Sequence, residues 1–202
     1  MFLISGCSLK NVYDSEYYCE KLDLKCSKDN QIVDFKTSKG DFEVLLYGKT
    51  HPVSVNNFIE NINKNIYKNK NFYKIINYPQ VKVIHSGVYS ENNYKKENQN
   101  LNKYRLEIPL ELKFNKEIEP KYRYQTVDPF EVANLTNFFE KGSLAMVKNG
   151  EKNSSSTEFF FVTNKFPALD GRYSIFGKVV KGIEILDKLD KEDLIYEIKI
   201  LN

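Results

Sequence analysis

The sequence predicts a mainly β domain with two helices, and three features of its 202 residues lead to this prediction. The stretch "QIVDFKTSKGDFEVLLYG" alternates apolar and polar residues on both sides of a Ser-Lys-Gly-Asp turn, which is the signature of a β-hairpin. The last third of the chain holds further apolar or alternating runs, "GSLAMV", "EFFFVTN", "YSIFGKVV" and "LIYEIKIL", which we interpret as strands. Helical spacing of apolar residues occurs in "THPVSVNNFIENINKNIY" and "GIEILDKL".

These patterns give the following elements in chain order. The predicted strands are Gln31–Thr37, Asp41–Tyr47, Gly142–Lys148, Glu158–Thr163, Ser174–Val180 and Leu194–Leu201, and the predicted helices lie near Pro52–Asn65 and Ile183–Leu189. Pro52 suits the first turn of a helix, where its missing N–H group has no partner to lose.

The middle of the chain is less regular. "NFYKIIN" and "VKVIHSGVY" are predicted to be short strands separated by Pro79. The polar segment Ser90–Lys103 is predicted to be a surface loop, and "YRLEIPLELKF" a brief return to the sheet. Asn115–Glu140 is predicted to be a second long excursion, with Pro120 among its breakers.

Charge and length limit the function classes. The chain carries 30 basic and 27 acidic residues, a net charge of +3, so its surface is a solvated mixture and not a nucleic-acid footprint. A length of 202 residues favours one main domain, which we assign to residues 31–202, with residues 1–30 as an N-terminal extension. The sequence contains no apolar run of transmembrane length and no nucleotide-binding glycine loop.

The three cysteines all lie near the N-terminus. Cys7 ends the run "LISGC", which resembles a bacterial lipobox and predicts a lipid-anchored protein of the cell envelope. An accidental match is the alternative, because only "MFLISG" precedes the cysteine and a complete signal peptide is longer. Cys19 and Cys26 either pair in an oxidising compartment or remain free thiols. Residues 10–30 show no sustained period and are predicted to be a tether that packs poorly against the domain.

A family resemblance adds to these patterns. The stretches "GDFEVLLYGKTHPVSVNNF", "FYKII" and "GSLAMVKNGEKNSSSTEFFFVTNKFPALDGRYSIFGKVVKGIEILDKL" are similar to a cyclophilin-type peptidyl-prolyl cis-trans isomerase, or rotamase. The resemblance covers most of residues 36–202, with the two long loops as insertions. It implies a closed eight-stranded antiparallel barrel with a helix over each end. One phenylalanine of the "EFFF" run would fill the barrel, and another would face a proline pocket on its outside.

The reaction at such a site is rotation about one amide bond, the bond that precedes a proline. Rotation about an X-Pro bond faces a barrier of roughly 18–20 kcal/mol, because the amide nitrogen shares its lone pair with the carbonyl. A catalyst must hold the proline ring in an apolar pocket and donate a hydrogen bond to the prolyl nitrogen; it needs neither metal nor cofactor. The resemblance implies that Lys74 is this donor, at the position of a family arginine. Lysine orients less well than a guanidinium, so reduced activity is expected, and a solvated lysine on a strand is the alternative.

The resemblance also implies a substrate-binding set. Phe160 is expected to form the floor of the pocket and Leu169 a wall, with a plain core position as the alternative for each. Tyr173 stands where many relatives have histidine. Glu158 replaces the usual glutamine, and His85 falls where a glutamine followed by glycines is expected. The remaining members of the expected set are Met146, beneath this surface, and Val147, at its rim.

Two main functions remain open. The first is an isomerase acting on X-Pro bonds of exported or unfolded polypeptides, favoured by Phe160, Leu169 and Tyr173. The second is a catalytically impaired cyclophilin-fold module that binds proline segments or acts as a chaperone in protein folding, favoured by Lys74, the altered segment at His85 and Glu158. A structural envelope lipoprotein is a third interpretation, resting on the lipobox alone. We expect a monomer whose partners are proline-containing peptides or unfolded proteins, attached to a membrane through the lipid anchor.

Overall fold

The computed structural model of the protein describes residues 14–88 and 107–201. In this part of the chain the helices are α1 (Ser15–Lys21), α2 (Pro52–Asn63), α3 (Pro129–Val132) and α4 (Glu184–Lys188), with a 3-10 turn at Pro167–Leu169. The strands are β1 (Gln31–Thr37), β2 (Gly40–Leu46), β3 (Lys70–Asn71), β4 (Lys74–Asn77), β5 (Lys82–Gly87), β6 (Glu107–Pro109), β7 (Glu111–Leu112), β8 (Lys121–Tyr122), β9 (Ser143–Asn149), β10 (Asn153–Val162), β11 (Ile175–Lys181) and β12 (Leu194–Leu201). The domain is mainly β, as the sequence predicts.

One antiparallel sheet of ten strands holds most of the described strands. Its order is β3-β12-β1-β2-β11-β9-β10-β5-β4, with β6 paired beside β10, while β7 and β8 form a separate pair. The sheet curls around one interior, and the Ser86 hydroxyl of β5 donates to the Asn71 carbonyl of β3 at 3.0 Å, which brings its two ends together. Between the described strands no backbone ladder joins these ends, so a fully laddered closed barrel stays a prediction.

The predicted strands and helices in the first and last parts of the chain are confirmed. β1 and β12 have the predicted bounds, and the other predicted elements differ by one or two residues, except that β10 begins at Asn153 instead of Glu158. Within the predicted excursion Asn115–Glu140 the chain forms β8 and α3. The predicted surface loop Ser90–Lys103 lies outside the described residues. Among the described residues, no helix is long and apolar enough to cross a bilayer.

The interior of the curled sheet is a phenylalanine core. Phe35 of β1 stacks on Phe42 of β2 with 4.8 Å between ring centroids, and Phe161 of β10 meets both rings edge-on. Phe58 of α2 lies 5.4 Å from Phe159, so the helix packs directly onto these rings. Replacing one such buried phenylalanine by alanine costs about 3–5 kcal/mol, so this core contributes strongly to stability.

Helix α2 is capped by a residue from a distant part of the chain. His51 precedes the helix without a capping side-chain hydrogen bond. The Glu111 carboxylate of β7 instead accepts hydrogen bonds from the N–H groups of Val53, at 3.0 Å, and Ser54, at 2.7 Å. These N–H groups have no partner inside the helix, because they belong to its first turn. Since the Glu111 N–H donates to the Ser174 hydroxyl at 2.7 Å, the same residue joins α2 to the start of β11.

The ionisation of Glu111 should make stability depend on pH. Burial raises the pKa of Glu111 to about 7 from the ordinary value of 4.5. A carboxyl group with a raised folded-state pKa contributes stability that is complete below the unfolded-state pKa and is lost as the pH rises through the folded-state pKa. Glu111→Gln keeps an acceptor atom but does not titrate. We therefore expect the free energy of unfolding of the wild type, relative to this variant, to fall by roughly 3 kcal/mol between about pH 4.5 and 8.

Urea unfolding at pH steps across this window measures the difference. Glu151→Gln, at an exposed position in the turn between β9 and β10, is the matched control. A difference between the wild type and Glu111→Gln that stays constant across the window contradicts the expected ionisation.

Residues 14–30 pack against the domain. Cys19 of α1 forms a disulfide with Cys26. Tyr18 is 6% exposed, and its ring lies 4.6 Å from the ring of Tyr122 in β8. The prediction of a poorly packed tether is therefore wrong for residues 14–30, because the disulfide and contacts with distant residues order a segment that has no periodic apolar face. The predicted lipidation site, Cys7, lies outside the described residues.

Two further contacts fix this segment in place. At Gly48, an added Cβ atom would lie 1.9 Å from the Asp29 carbonyl oxygen, so the segment passes too close for any side chain. Glu119 of the insertion accepts hydrogen bonds from the Ser15 N–H at 3.3 Å and from the Lys28 ammonium at 2.6 Å. The segment is thus part of the folded domain.

Removal of the disulfide is expected to lower the free energy of unfolding. The bond between Cys19 and Cys26 closes a short loop in the unfolded chain, which contributes about 2–3 kcal/mol. Cys19→Ser combined with Cys26→Ser should show this loss in urea unfolding, and a reductant should bring the wild type down to the stability of the variant. Equal stability of the oxidised wild type and the variant contradicts this role.

Candidate active site

A second apolar cluster lies on the outer face of the sheet. Its buried members are Val81, Val83, Phe139, Ala145, Phe160, Val162 and Ile175, and Ile76, Val147, Phe166, Leu169 and Tyr173 pack against them. We call this group the outer cluster. It forms because side chains alternate along a strand. In β10, Phe159 and Phe161 lie in the interior core, while Phe160 lies in the outer cluster.

Lys74 lies on the same face as Phe160. Lys74 of β4 pairs with His85 of β5, and His85 pairs with Phe160 of β10. Residues directly opposite one another in paired strands share a face of the sheet. Because neighbouring strands lie about 4.8 Å apart, the backbones of Lys74 and Phe160 are about 10 Å apart. The Lys74 side chain is exposed, so its ammonium is within reach of a ligand that rests on Phe160.

His85 lies between Lys74 and Phe160 in its neutral form. Its ring stacks on the Phe160 ring with 5.4 Å between centroids and 25° between planes. Burial, and secondly the charge of Lys74, lower the pKa of His85 to about 4. At neutral pH His85 therefore carries no charge and offers one donor and one acceptor. In the row formed by Lys74, His85 and Phe160, the charged residue is therefore Lys74.

The Phe160 ring is covered by other rings. Phe160 is 2% exposed, with Phe139 stacked at 5.7 Å and Tyr173 edge-on at 5.2 Å. The predicted floor of the pocket is therefore covered, and its role stays a prediction. Of the three rings against Phe160, Phe139 is fully buried, while His85 and Tyr173 are only partly buried, so His85 or Tyr173 must shift for a proline ring to contact Phe160.

Glu158 and Tyr73 form a polar pair at the edge of the site. Glu158 is 9% exposed and accepts hydrogen bonds from the Tyr73 hydroxyl at 2.9 Å and the Ser155 hydroxyl at 3.3 Å. As a carboxylate it offers only acceptor oxygens. The sequence did not reveal Tyr73 as a site residue, because it and Glu158 are 85 residues apart in the chain. The one available signal was that Tyr73 directly precedes Lys74.

Met146 does not lie on the ligand-facing side. Alternation along β9 turns Ala145 and Val147 toward the outer cluster and Met146 into the interior core, where it is fully buried. Met146 therefore lies beneath the site, as the resemblance implies, so its part in the substrate-binding set is support from beneath and not ligand contact. Val147 is partly buried at the predicted rim.

The site offers hydrogen-bonding groups around an apolar surface. Burial raises the pKa of Tyr173, so its phenol stays protonated at neutral pH and can donate to a peptide carbonyl. In the described ranges, no group of three or more histidine, cysteine, aspartate or glutamate side chains could hold a metal ion. The arrangement can hold an apolar ring and hydrogen-bond the peptide groups on either side of it.

The fold is a curled antiparallel sheet with an aromatic cluster on its outer face, and Lys74 lies on the same face. The family model described as cyclophilin type peptidyl-prolyl cis-trans isomerase/CLD matches residues 32–201. The chain belongs to the cyclophilin-type peptidyl-prolyl cis-trans isomerase family.

Curated relatives and solved structures agree with this membership. The chain is 27% identical over 168 residues to a peptidyl-prolyl cis-trans isomerase of Acinetobacter baylyi, which covers 79% of this chain and 72% of that protein. It is 28% identical over 160 residues to peptidyl-prolyl cis-trans isomerase A of Dickeya dadantii, covering 77% of this chain and 68% of that protein. A crystal structure of a cyclophilin type peptidyl-prolyl cis-trans isomerase of Cryptosporidium parvum matches with a TM-score of 0.59 at 23% identity, over 86% of this chain and 99% of that chain, which shows the shared fold.

Both histidines of the chain, His51 and His85, should remain neutral well below the usual pKa. Burial is the first cause in each case, and it lowers the pKa of His51 to about 3 and that of His85 to about 4. Ring signals in NMR spectra should therefore show no titration midpoint between about pH 8 and 5, whereas the urea-denatured protein should titrate near pH 6.5.

A midpoint near pH 6.5 in the folded protein contradicts the buried, neutral state of these rings. The same shifts fix the sign of their effect on stability. Because the folded-state pKa values are lowered, the stability that the two histidines contribute is present above about pH 6.5 and is lost as the pH falls through the folded-state values.

Proposed function

We propose that this protein catalyses the cis-trans isomerisation of X-Pro bonds in exported or unfolded polypeptides, with Lys74 as the hydrogen-bond donor. The observation that carries the proposal is the register of β4, β5 and β10, which aligns Lys74, His85 and Phe160 on one face. Membership of the cyclophilin-type family supports isomerase activity. The row supports the assignment of Lys74 and Phe160 to the two tasks of the catalyst, donation and ring binding.

In the proposed reaction the proline ring packs against Phe160 after His85 or Tyr173 has moved aside. The Lys74 ammonium donates to the prolyl nitrogen as the amide loses conjugation, an interaction that is stronger in the twisted state than in either planar state. The Glu158 carboxylate accepts from a substrate N–H group, and the Tyr173 phenol donates to a substrate carbonyl. The protein forms no covalent bond with the substrate, and the X-Pro bond itself is not broken.

Two features support a turnover below that of a relative with arginine. The Lys74 ammonium is a flexible, strongly hydrated point charge on an exposed side chain, so it is not held in a fixed direction. The closed stack over Phe160 adds a conformational step, because His85 or Tyr173 must move before proline binds. Both features reduce the fraction of encounters with substrate in which the Lys74 ammonium is oriented and the Phe160 ring is uncovered at the same time.

Export and membrane attachment are part of the proposal. The disulfide between Cys19 and Cys26 supports an oxidising compartment, where such bonds persist. The lipobox-like run before Cys7 supports a lipid anchor, although this residue lies outside the described ranges. Mass spectrometry of the membrane-extracted native protein should find an acylated Cys7 at the mature N-terminus. Recovery of an unmodified Met1 contradicts the anchor.

Variants at Lys74 test the donor role. Lys74→Arg is expected to raise kcat/KM, because a planar guanidinium loses less freedom per hydrogen bond. Lys74→Ala is expected to lower kcat/KM by roughly 10-fold, less than the loss of 100-fold or more that removal of a fully preorganised donor causes. NMR exchange spectroscopy on an Ala-Pro peptide measures both effects without a coupled protease. Lys199→Ala, at an exposed lysine of β12, is the matched control.

Phe160→Ala separates the isomerase from a proline-binding module. Removal of the floor should weaken peptide binding and turnover together. The alternative gains if the wild type and both Lys74 variants isomerise the peptide at the uncatalysed rate while Phe160→Ala still abolishes binding. The carboxylate of Glu158, which accepts from Tyr73 and offers no amide donor, is the observation that favours this alternative.

A further inference from the structure

A lobe of the insertion is attached at both ends to the turn that borders the active site. The lobe is Thr126 to Phe139, within the excursion Asn115–Glu140 that the family resemblance treats as an insertion. At its start the Thr126 N–H donates to the Gly171 carbonyl at 2.8 Å, and at its end the Phe139 N–H donates to the Asp170 carboxylate at 2.7 Å. These two turn residues directly follow Leu169, which packs on the outer cluster. The lobe therefore begins and ends at the edge of the site.

The contact between the lobe and the turn leaves no room for a side chain. Gly171 has a φ of +74°, and a Cβ atom there would lie 2.4 Å from the Thr126 carbonyl oxygen and 3.2 Å from a methyl group of Val132. At the other end of the lobe, Phe139 stacks on Phe160 with 12° between the ring planes. The lobe is thus fixed against the site, and its last residue covers the pocket floor.

The lobe exposes apolar side chains that its own packing does not use. Phe130 is 83% exposed, Val127 is 66% exposed and Phe138 is 38% exposed. The backbone that carries them is held in place, since the Asp128 carboxylate caps α3 by accepting from the N–H groups of Phe130 and Glu131 at 2.9 and 3.1 Å. Exposed aromatic side chains on a fixed backbone beside a binding site are typical of a contact surface.

We propose that Val127 and Phe130 form a subsite for an apolar side chain of the substrate polypeptide, a few residues from the proline. The inference rests on the proposed function, because the subsite continues the Phe160 site across the turn Leu169–Gly171. From Leu169, which packs on the outer cluster, the turn and its hydrogen bond to Thr126 lead directly to Val127. Since an extended chain advances about 3.3 Å per residue, we expect the apolar residue a few positions from the proline.

The substrate chain is the occupant that this continuity favours. Both hydrogen-bonded links hold the lobe to the turn that flanks the proline site, so a peptide that leaves Phe160 across this turn meets the lobe. A second contact within the same chain also selects unfolded segments, in which apolar residues close to a proline are accessible. A folded surface loop with a polar neighbourhood makes only the first contact.

Peptides of matched length test this subsite. Each peptide has a central Ala-Pro bond in a background of glycine, serine and lysine; one set carries a single phenylalanine three, four or five residues from the proline on either side, and the reference peptide has none. We expect the wild type to bind at least one phenylalanine peptide with a Kd roughly tenfold lower than that of the reference, as burial of one aromatic side chain would give. Fluorescence anisotropy measures the Kd, and NMR exchange measures kcat/KM.

Phe130→Ser combined with Val127→Ser should remove this preference. Ile118→Ser is the matched control, because Ile118 is 92% exposed in the same insertion but neighbours Glu119, which contacts the N-terminal segment and not the active-site turn. The replaced side chains are exposed, so the variants should unfold at the wild-type temperature. A preference that survives in the double variant, or a wild type that does not distinguish the peptides, overturns the subsite.

The outcome is separable from that of the proposed function. If the reference peptide is bound but not isomerised, the catalytic proposal fails while the ratio of Kd values still tests the subsite. If the reference peptide is isomerised and the wild type shows no preference for phenylalanine, the subsite fails and the isomerase proposal stands. If the wild type binds none of the peptides, both are wrong.

Discussion

The alternation of side chains along β10 is the constraint on which both the core and the site depend. It sends Phe159 and Phe161 into the interior core and Phe160 to the outer cluster. A register slip of one residue between β10 and its neighbours would exchange the two faces, leaving two phenylalanines outside and one inside. The same strand therefore stabilises the fold and positions the aromatic floor, so a change that loosens the core also displaces the site.

The chemistry available at the site follows from what the sheet aligns beside that floor. The strand register brings Lys74 and His85 into one row with Phe160, and burial, with the charge of Lys74, lowers the pKa of His85 so that the positive charge of the row stays on the lysine. A mobile ammonium beside an apolar surface is a less ordered donor than a guanidinium. Phe139 and Tyr173 cover the floor, so on the proposed mechanism binding is coupled to a side-chain movement.

Much of the fold could be predicted from the sequence, because its signals are local. The bounds of β1 and β12 follow from alternation within single strands, and alternation together with the family resemblance gives the outward position of Phe160. The contacts that could not be predicted join distant residues and leave no periodic pattern. Glu111 caps two N–H groups that lie 57 and 58 residues earlier in the chain, and Tyr18 packs on Tyr122. The closure over the floor depends on Phe139 from the insertion.

The central claim is that proline binds over Phe160 with its nitrogen facing Lys74. A crystal structure of the protein with a bound Ala-Pro peptide tests this claim most directly. We expect the pyrrolidine ring against the Phe160 ring, with His85 or Tyr173 moved aside and the Lys74 Nζ atom about 3 Å from the prolyl nitrogen. A peptide bound elsewhere on the surface, or a proline on Phe160 with the Lys74 ammonium turned away into solvent, would contradict it.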